Sequence, residues 1–343
     1  MIALPRHAEL WLADYLFGEW RRIARPRSGE GRLWVMIGDH YEPLWAGADE
    51  DLGRRRVAFW RKRWPEIAAR FQDSAGNPPQ YTFFYPQDEY RPFFVEPLAE
   101  MARAGIGDVE VHIHHDEHLH PAEGKGTFVE RMSSYVEILQ QEHGLLRQHN
   151  GRPAFGFIHG VWALDNSQPN GVWCGLNNEI TLLRELGCYA DFTMPAPNSP
   201  AQARTLNRIY WAIDDPDKPR SHDRGVSVLP GKPGQGDLLM IPGPLGLRWR
   251  SRLVPRMESG ELAGHDLPDA YRVERWLDLA PCVGRDVFLK LYTHGAQEAN
   301  SQALLEGGLE TLYTLLPEAC ARRGWQLRYA TAWQLYQAVV AAA

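Results

Sequence analysis

Cysteine is scarce in this sequence and never clustered. The 343 residues contain four cysteines, and none of them belongs to a Cys-x-x-Cys pair. Free thiols in a reducing compartment are the simplest interpretation, so we expect a cytoplasmic protein. The four residues are Cys174, Cys188, Cys282 and Cys320.

Long apolar runs and long basic blocks are also missing. No apolar run approaches the ~18 residues that a membrane-spanning helix requires, so we expect no membrane span. The first residues show no basic stretch followed by an apolar one, and we therefore expect no signal peptide. Acidic residues outnumber basic residues by 43 to 37, which argues against nucleic acid as a partner.

Histidine, in contrast, is locally concentrated. The chain has 13 histidines, which would need no explanation if they were evenly spread. Five of them fall within nine residues, however, and a cluster of this density calls for a local cause. These five are His112, His114, His115, His118 and His120.

The order of the sequence patterns predicts an α/β fold built on a parallel sheet. Short β-rich runs alternate with helical patterns, and the predicted strands cover residues 33–38, 81–85, 109–114, 155–159, 188–194, 287–293 and 325–330. Residues 195–285 break this rhythm with many proline, glycine and aspartate residues. We interpret residues 1–30 as a helical extension and residues 31–343 as a single domain, with 195–285 as an irregular, β-containing insertion.

Ionisable residues come directly after several of the predicted strands. Asp39 and His40 follow the first strand, His114 ends the third, and His159 and His294 stand at the ends of later ones. In a barrel of parallel strands, functional residues gather at the carboxyl ends of the strands. We therefore expect these side chains to share one edge of the sheet.

The third strand and the residues after it predict a metal site. Glu110, His112 and His114 alternate with apolar residues, so we expect these three to point into the barrel. His114 and His118, with a carboxylate such as Asp39 from another strand, make a common ligand set for a divalent metal. A histidine-rich surface loop without a ligand is the alternative, and the ionisable residues at the other strand ends favour the metal site.

Three short motifs resemble those of the NodB-homology polysaccharide deacetylases, carbohydrate esterase family four. They are Y-T-F-F at 81–84, H-H-D-E-H at 114–118 and L-Y-T-H at 291–294. The family's first strand ends in an Asp-Asp pair, whereas this chain has I-G-D-H at 37–40, and the family's Arg-x-Pro-Tyr motif is missing. The chain is thus similar to a divergent branch of the family.

The resemblance implies a distorted (β/α) barrel of seven to eight parallel strands. It also implies a metal-dependent hydrolase that removes an acetyl group from an N-acetylated sugar, in bacterial surface or exopolysaccharide metabolism. The cofactor would be one divalent ion, zinc first, with cobalt, nickel, manganese or iron as other options. The partner would be a carbohydrate substrate, and the oligomeric state stays open.

The same resemblance assigns the roles at the reacting centre. Asp39 would be the general base and a possible metal ligand, and His294 the general acid. The metal ligands would be His40, His114 and His118, together with Asp39.

Further residues would support this centre. Glu110, His112 and His159 would orient the ligand imidazoles through hydrogen bonds. A sugar would bind along the loop that follows the fourth strand, at Trp162, Asp165, Asn166 and Trp173.

Two other functions remain open on the same barrel. One is a non-catalytic glycan-binding or assembly protein, which the missing aspartate and the missing Arg-x-Pro-Tyr motif favour. The other is a glycoside hydrolase, which requires a pair of carboxylates on either side of the scissile bond.

Overall fold

The protein is a mixed α/β structure of alternating strands and helices. The computed structural model describes residues 5–23, 29–115, 124–251 and 254–343. The strands in this part of the chain are β1 (Gly31–His40), β2 (Thr82–Pro86), β3 (Asp108–Ile113), β4 (Arg147–His149), β5 (Arg152–His159), β6 (Cys188–Asp191), β7 (Tyr210–Ala212), β8 (Gly225–Ser227), β9 (Leu238–Met240), β10 (Gly246–Ser251), β11 (Val254–Glu258), β12 (Cys282–Val283), β13 (Asp286–Thr293) and β14 (Trp325–Tyr329). The helices are α1 (Ala8–Ile23), α2 (Glu50–Ala68), α3 (Pro92–Arg103), α4 (Lys125–Gln141), α5 (Glu179–Leu186), α6 (Ala270–Leu279), α7 (Glu298–Ala303), α8 (Leu309–Arg323) and α9 (Ala332–Ala342).

The central sheet is mostly parallel. Its strands are hydrogen-bonded in the order β12-β13-β1-β2-β3-β5-β6-β9-β7-β8, with β14 beside the first half of β1. From β13 to β9 in this order, each pair of neighbouring strands is parallel. At one end of the sheet β12 pairs antiparallel with β13, and at the other end β7 pairs antiparallel with both β9 and β8. The predicted α/β class with a parallel sheet is confirmed, and closure of the sheet into a barrel stays a prediction.

Both faces of the sheet are buried. One face packs against helices. Its side chains, such as Val35, Val111 and Phe157, belong to the same buried apolar cluster as Trp60 of α2. The other face forms a second apolar cluster, which joins side chains from most strands of the sheet and from α9, among them Met36, Phe84, Ile158, Phe192, Phe288 and Leu335. We call these the helix face and the inner face. Successive residues of a strand alternate between them.

The region predicted to be an irregular insertion, residues 195–285, is rich in short strands, and three of them continue the central sheet beyond β6. It contains the short strands β7, β8 and β9 and the antiparallel hairpin β10–β11. Helix α1 packs on this region through Trp11 and Tyr15, which contact a small apolar cluster that includes Leu206, Leu245 and Leu279. A helix therefore precedes β1, as the sequence predicts, while the division between an extension and a single domain stays a prediction.

The expectations about membrane spans and cysteines can also be compared with the structure. In the described ranges, no helix is both long enough and apolar enough to cross a membrane. The four cysteines are free thiols.

A buried ion pair anchors the hairpin β10–β11 to α6. Glu258 accepts hydrogen bonds from Arg272 Nε at 3.0 Å and Nη2 at 2.9 Å, and from Trp276 Nε1 at 2.8 Å. Glu258 and Arg272 are almost fully buried. Removal of the carboxylate therefore leaves two buried guanidinium groups, those of Arg272 and Arg248, with Asp266 as their remaining acidic partner.

We expect Glu258→Ala to lower the free energy of unfolding by about 3–5 kcal/mol, because it removes the carboxylate nearest to the buried Arg272 guanidinium. Equilibrium urea unfolding measures the change. Glu318→Ala, at an exposed position of α8, is the control and should change stability by less than about 0.5 kcal/mol. A loss below about 1 kcal/mol for Glu258→Ala would show that the pair does not anchor the hairpin.

Candidate metal centre

The carboxyl ends of the parallel strands bring several imidazoles and one carboxylate together on the inner face. His40 ends β1, and Glu42 follows it two residues later. His112 lies in β3 and His114 directly after it. The four side chains come from two strands that are separated only by β2, so their convergence follows from the sheet order.

Glu42 is the shared partner of two of these histidines. Its Oε1 lies 3.3 Å from His112 Nε2 and 3.4 Å from His114 Nε2. His112 Nδ1 lies 2.8 Å from the carbonyl oxygen of Ile158, which can only accept, so Nδ1 carries the proton. This bond fixes the tautomer in which Nε2 presents a lone pair to the cluster.

His114 is oriented in the same manner by a carboxylate. Its Nδ1 donates to Asp88 Oδ1 at 3.0 Å, and Asp88 follows the end of β2. The side chains of His114 and Asp88 are 25% and 45% exposed, whereas that of His112 is fully buried. The centre is therefore open to solvent on the side of His114.

His40 completes the cluster from the opposite side. One ligand atom from each of His40, Glu42 and His112 lies within 4.8 Å of the other two. The Nε2 atom of His40 is buried and makes no hydrogen bond with any described residue. The His40 ring stacks on His294, with centroids 4.7 Å apart, and Trp162 lies 5.9 Å from both rings.

The protonation states suit a cation. Burial lowers the pKa of His40 well below its ordinary value, and it also lowers the pKa of His112. Burial alone would raise the pKa of Glu42, but the neighbouring His112 and His114 imidazoles hold it well below its usual range. The cluster thus presents two neutral imidazoles and an ionised carboxylate.

His114 is the one member that holds an additional proton. Burial lowers the pKa of its imidazole, but the hydrogen bonds and charges of Asp88 and Glu42 outweigh burial and raise it to about 10. The proton on Nε2 faces Glu42, where a metal ion would bind. A cation at this position has to displace that proton, so its binding releases a proton to solvent.

Asp39 lies on the helix face of β1 and not in the cluster. Its Oδ1 accepts from Gly295 N at 2.6 Å and its Oδ2 from Tyr81 OH at 2.8 Å. Burial raises the pKa of Asp39 to about 8, against the effect of both hydrogen bonds. Because adjacent strand residues point to opposite faces, Asp39 and His40 cannot both enter the same cluster directly.

The other predicted residues are divided between several places. Glu110 lies on the inner face but forms hydrogen bonds with Arg147, Tyr189 and Gly156 N, and none with the cluster around Glu42. Trp173 packs against the core of the helix face. His118 lies outside the described residues.

The loop after β5 holds the remaining predicted residues. Asp165 is buried, its backbone N donates to Glu179 Oε2, and its Oδ2 accepts from Ser221 N. Asn166 holds the loop together through bonds with Asn177 and Gly175 N. His159 lies on the helix face, in a buried group with His115, Cys174 and Glu179. Among the predicted substrate residues, Trp162 is thus the one in contact with the open centre.

Sequence reasoning missed Glu42 and Asp88. A signal for Glu42 was present, since it continues the alternate positions of Met36 and His40 past the end of the strand. Asp88 also follows a predicted strand end. The loop that carries Glu42 is held by tertiary contacts, from Leu44 N to Glu89 Oε2 at 2.6 Å and from Arg56 to the Pro43 carbonyl at 2.7 Å.

The donor set can hold a divalent metal ion. Imidazole nitrogen and carboxylate oxygen are ligands for zinc and other first-row transition metals. Scans of protein-family models and of curated proteins found no match to the chain.

Gly160 gives a direct test of how tightly the centre is built. A Cβ atom at this position would lie 2.3 Å from His114 Cδ2 and 2.7 Å from the Ile113 carbonyl oxygen. We expect Gly160→Ala to lower the free energy of unfolding by about 1–3 kcal/mol. It should also weaken zinc binding, because the His114 ring must leave its present position beside Glu42. Urea unfolding and zinc titration measure the two effects.

Gly126→Ala is the matched control. A Cβ there meets no atom within 4 Å, and the position lies in α4, where alanine is favoured over glycine by about 0.5–1 kcal/mol. Wild-type stability and wild-type zinc affinity in Gly160→Ala would contradict the packing of His114 described above.

Proposed function

We propose that the protein is a metal-dependent hydrolase that removes the acetyl group from an N-acetylated sugar. The observation that carries the proposal is the convergence of His40, His112 and His114 on the single carboxylate of Glu42, at the open end of a parallel sheet. The resemblance to polysaccharide deacetylases supports the reaction and the substrate class.

The residues present fit a zinc ion. Two ligands that each lie about 2.0–2.1 Å from zinc at tetrahedral angles are about 3.3–3.4 Å apart. The separations of Glu42 Oε1 from His112 Nε2 and His114 Nε2 are 3.3 and 3.4 Å. His40 Nε2 is a buried polar atom with no hydrogen-bond partner in the described chain, and it would gain one bond to the ion. Cobalt, nickel, manganese and iron are compatible with the same donors.

A divalent cation held here would supply a Lewis acid that polarises a carbonyl oxygen and activates water near neutral pH. Asp88 and the Ile158 carbonyl hold His114 and His112 in the required orientation. His294, stacked on His40 and partly exposed, is the titratable residue placed to give a proton to the departing amine.

Trp162 provides the contact for a sugar. Its indole lies beside His40 and His294 and packs on Met194 and Ala203. The indole N–H is buried and has no partner in the described residues, so it can donate to a substrate oxygen. An aromatic face next to a metal centre suits the apolar face of a pyranose ring.

The position of Asp39 changes its proposed role. Its Oδ1 holds the backbone N of Gly295, the residue directly after His294, so we assign Asp39 as a positioning residue for His294. Gly295 also leaves no room for a side chain, since a Cβ would lie 2.1 Å from Asp39 Oδ2. The absence of Asp39 from the cluster is also the observation that favours the alternative, a non-catalytic glycan-binding protein that retains the metal.

We further propose that the sheet closes into the distorted barrel that the resemblance implies. The carbonyl oxygen of Met194, just after β6, accepts from Lys290 Nζ in β13 at 3.0 Å and from Gly243 N at 2.9 Å. A Cβ on Gly243 would lie 2.7 Å from the Lys290 carbonyl, so the chain after β9 runs close against β13. These contacts support a bridge between the two ends of the parallel part.

Metal content and acetate release test the proposed enzyme together. We expect the purified protein to bind zinc in the open centre and to release acetate from N-acetylated oligosaccharides. His112→Ala should lose this zinc and the activity, whereas His294→Ala should keep the zinc and lose about 10²–10⁴-fold in rate as a general acid. His265→Ala, at an exposed position of the insertion, should match the wild type. Zinc and sugar binding without acetate release would instead establish the glycan-binding alternative.

Two substitutions of Asp39 show whether this residue acts as a general base or positions His294. The amide oxygen introduced by Asp39→Asn would still accept from Gly295 N, so this variant should retain most of the acetate release. Asp39→Ala, in contrast, loses the bond and with it the placement of His294. Loss of a general base would instead cost about 10²–10⁴-fold in both variants. Steady-state kinetics of acetate release at several pH values measure the two rates. Equal, severe losses in both variants would show that Asp39 is the general base.

A further inference from the structure

A second group of metal-ligating side chains lies on the helix face of the sheet. It consists of His115, His159, Cys174 and Glu179, which come from the end of β3, the end of β5, the following loop and the first residue of α5. One ligand atom from each lies within 4.8 Å of the others, and all four residues are buried. The side chain of His114 is 25% exposed in the open centre, whereas those of His115 and Glu179 are 1% and 0% exposed.

The imidazoles in this group are oriented as metal ligands are. His159 Nδ1 donates to the Gly160 carbonyl at 2.6 Å, which turns Nε2 toward the group. That Nε2 lies 3.3 Å from Glu179 Oε1 but forms no hydrogen bond with a described atom, although it is completely buried. His115 Nε2 lies 3.1 Å from the same oxygen, and the two rings are nearly parallel, with centroids 4.9 Å apart.

The sulfur of Cys174 lies between two backbone donors and two acceptors, the Leu176 carbonyl and Glu179 Oε2. The backbone N atoms of Asn166 and Leu176 lie 3.3 and 3.5 Å from Sγ and donate to it. Sγ itself lies 3.4 Å from Glu179 Oε2. Once a cation displaces the thiol proton, the two N–H groups directed at Sγ would support the thiolate that binds a metal.

The position of Glu179 points the same way. Its buried carboxylate lies against both imidazoles and the sulfur of Cys174. An ionised carboxylate in this buried position requires a positive partner. A divalent ion with one carboxylate and one thiolate would make the group neutral overall, and it would leave both imidazoles neutral.

We propose that His115, His159, Cys174 and Glu179 bind a structural zinc ion, separate from the open centre. In a tetrahedral site, a zinc-bound oxygen lies about 3.3 Å from a bound nitrogen and about 3.5 Å from a bound sulfur. Glu179 Oε1 lies 3.1 and 3.3 Å from the imidazole nitrogens, and the other oxygen, Oε2, lies 3.4 Å from Sγ, so the two oxygens of the carboxylate face the nitrogen and sulfur ligands. Four protein ligands in a closed cavity leave no position for a substrate, which is typical of structural zinc.

The ion would stabilise the loop that borders the open centre. This loop has non-glycine residues at positive φ, including Val161 at 52° and Trp162 at 55°, and such conformations require support from the surrounding structure. Cys174 and Glu179 hold one end of the loop, and His159 holds the other. His115 directly follows His114 in the chain, so the structural ion also fixes the base of the open centre.

X-ray absorption at the zinc edge tests the proposal on the full chain. Protein purified with zinc should contain two zinc ions per chain, and its spectrum should include a sulfur scatterer at about 2.3 Å beside nitrogen and oxygen at about 2.0–2.1 Å. Cys174→Ser should lose the sulfur scatterer. Cys188→Ser is the matched control, because Cys188 is also buried and donates only to the Ala190 carbonyl, and it should keep the scatterer.

The outcomes separate this proposal from the proposed function. Of the two ligand groups in the described residues, this one contains sulfur and the open centre does not. A spectrum of wild-type protein without a sulfur scatterer therefore overturns the structural site, whatever the acetate assay gives. Persistence of the scatterer in Cys174→Ser also overturns it. If Cys174→Ser does not fold, the wild-type spectrum still decides. A single zinc ion with a sulfur scatterer would support the structural site and count against the open centre.

Discussion

Consecutive residues of an extended chain point to opposite sides of a sheet, and this constraint organises the functional end of the molecule. At the end of β3 it sends His112 and His114 to the inner face and His115 to the helix face. At the end of β1 it separates His40 from Asp39. Because the strands are parallel, these residues meet partners from neighbouring strands at the same edge. Two groups of ligands, one open and one closed, result from this single alternation.

Each group is centred on one buried carboxylate. Glu42 is shared by His112 and His114, and Glu179 by His115 and His159. A buried carboxylate needs a positive partner. Beside Glu42 that partner is the His114 imidazole, whose raised pKa keeps it protonated. A divalent ion in place of this proton would give the open centre one net positive charge, whereas the thiolate of Cys174 would make the closed group neutral. This common physical requirement makes both groups suited to a metal, while their exposure distinguishes a reacting centre from a structural one.

The sequence predicted the fold better than the centre. Alternation and strand-end patterns placed the parallel strands within a few residues, and they put His112 and His114 on the inner face. The roles were less predictable, because the sequence does not show which residues outside the strands approach them. Glu42 is placed by contacts of its loop with Glu89 and Arg56, and Cys174 is brought to His159 by a loop with unusual backbone angles. Such long-range contacts leave no periodic signal in a single sequence.

Anomalous X-ray diffraction tests the central claim most directly, namely that the inner-face cluster is a metal centre. Crystals grown from protein purified with zinc, measured on both sides of the zinc absorption edge, should show an anomalous peak bounded by His40, Glu42, His112 and His114. An ordered cluster without such a peak, in crystals kept at neutral pH with added zinc, would contradict the account.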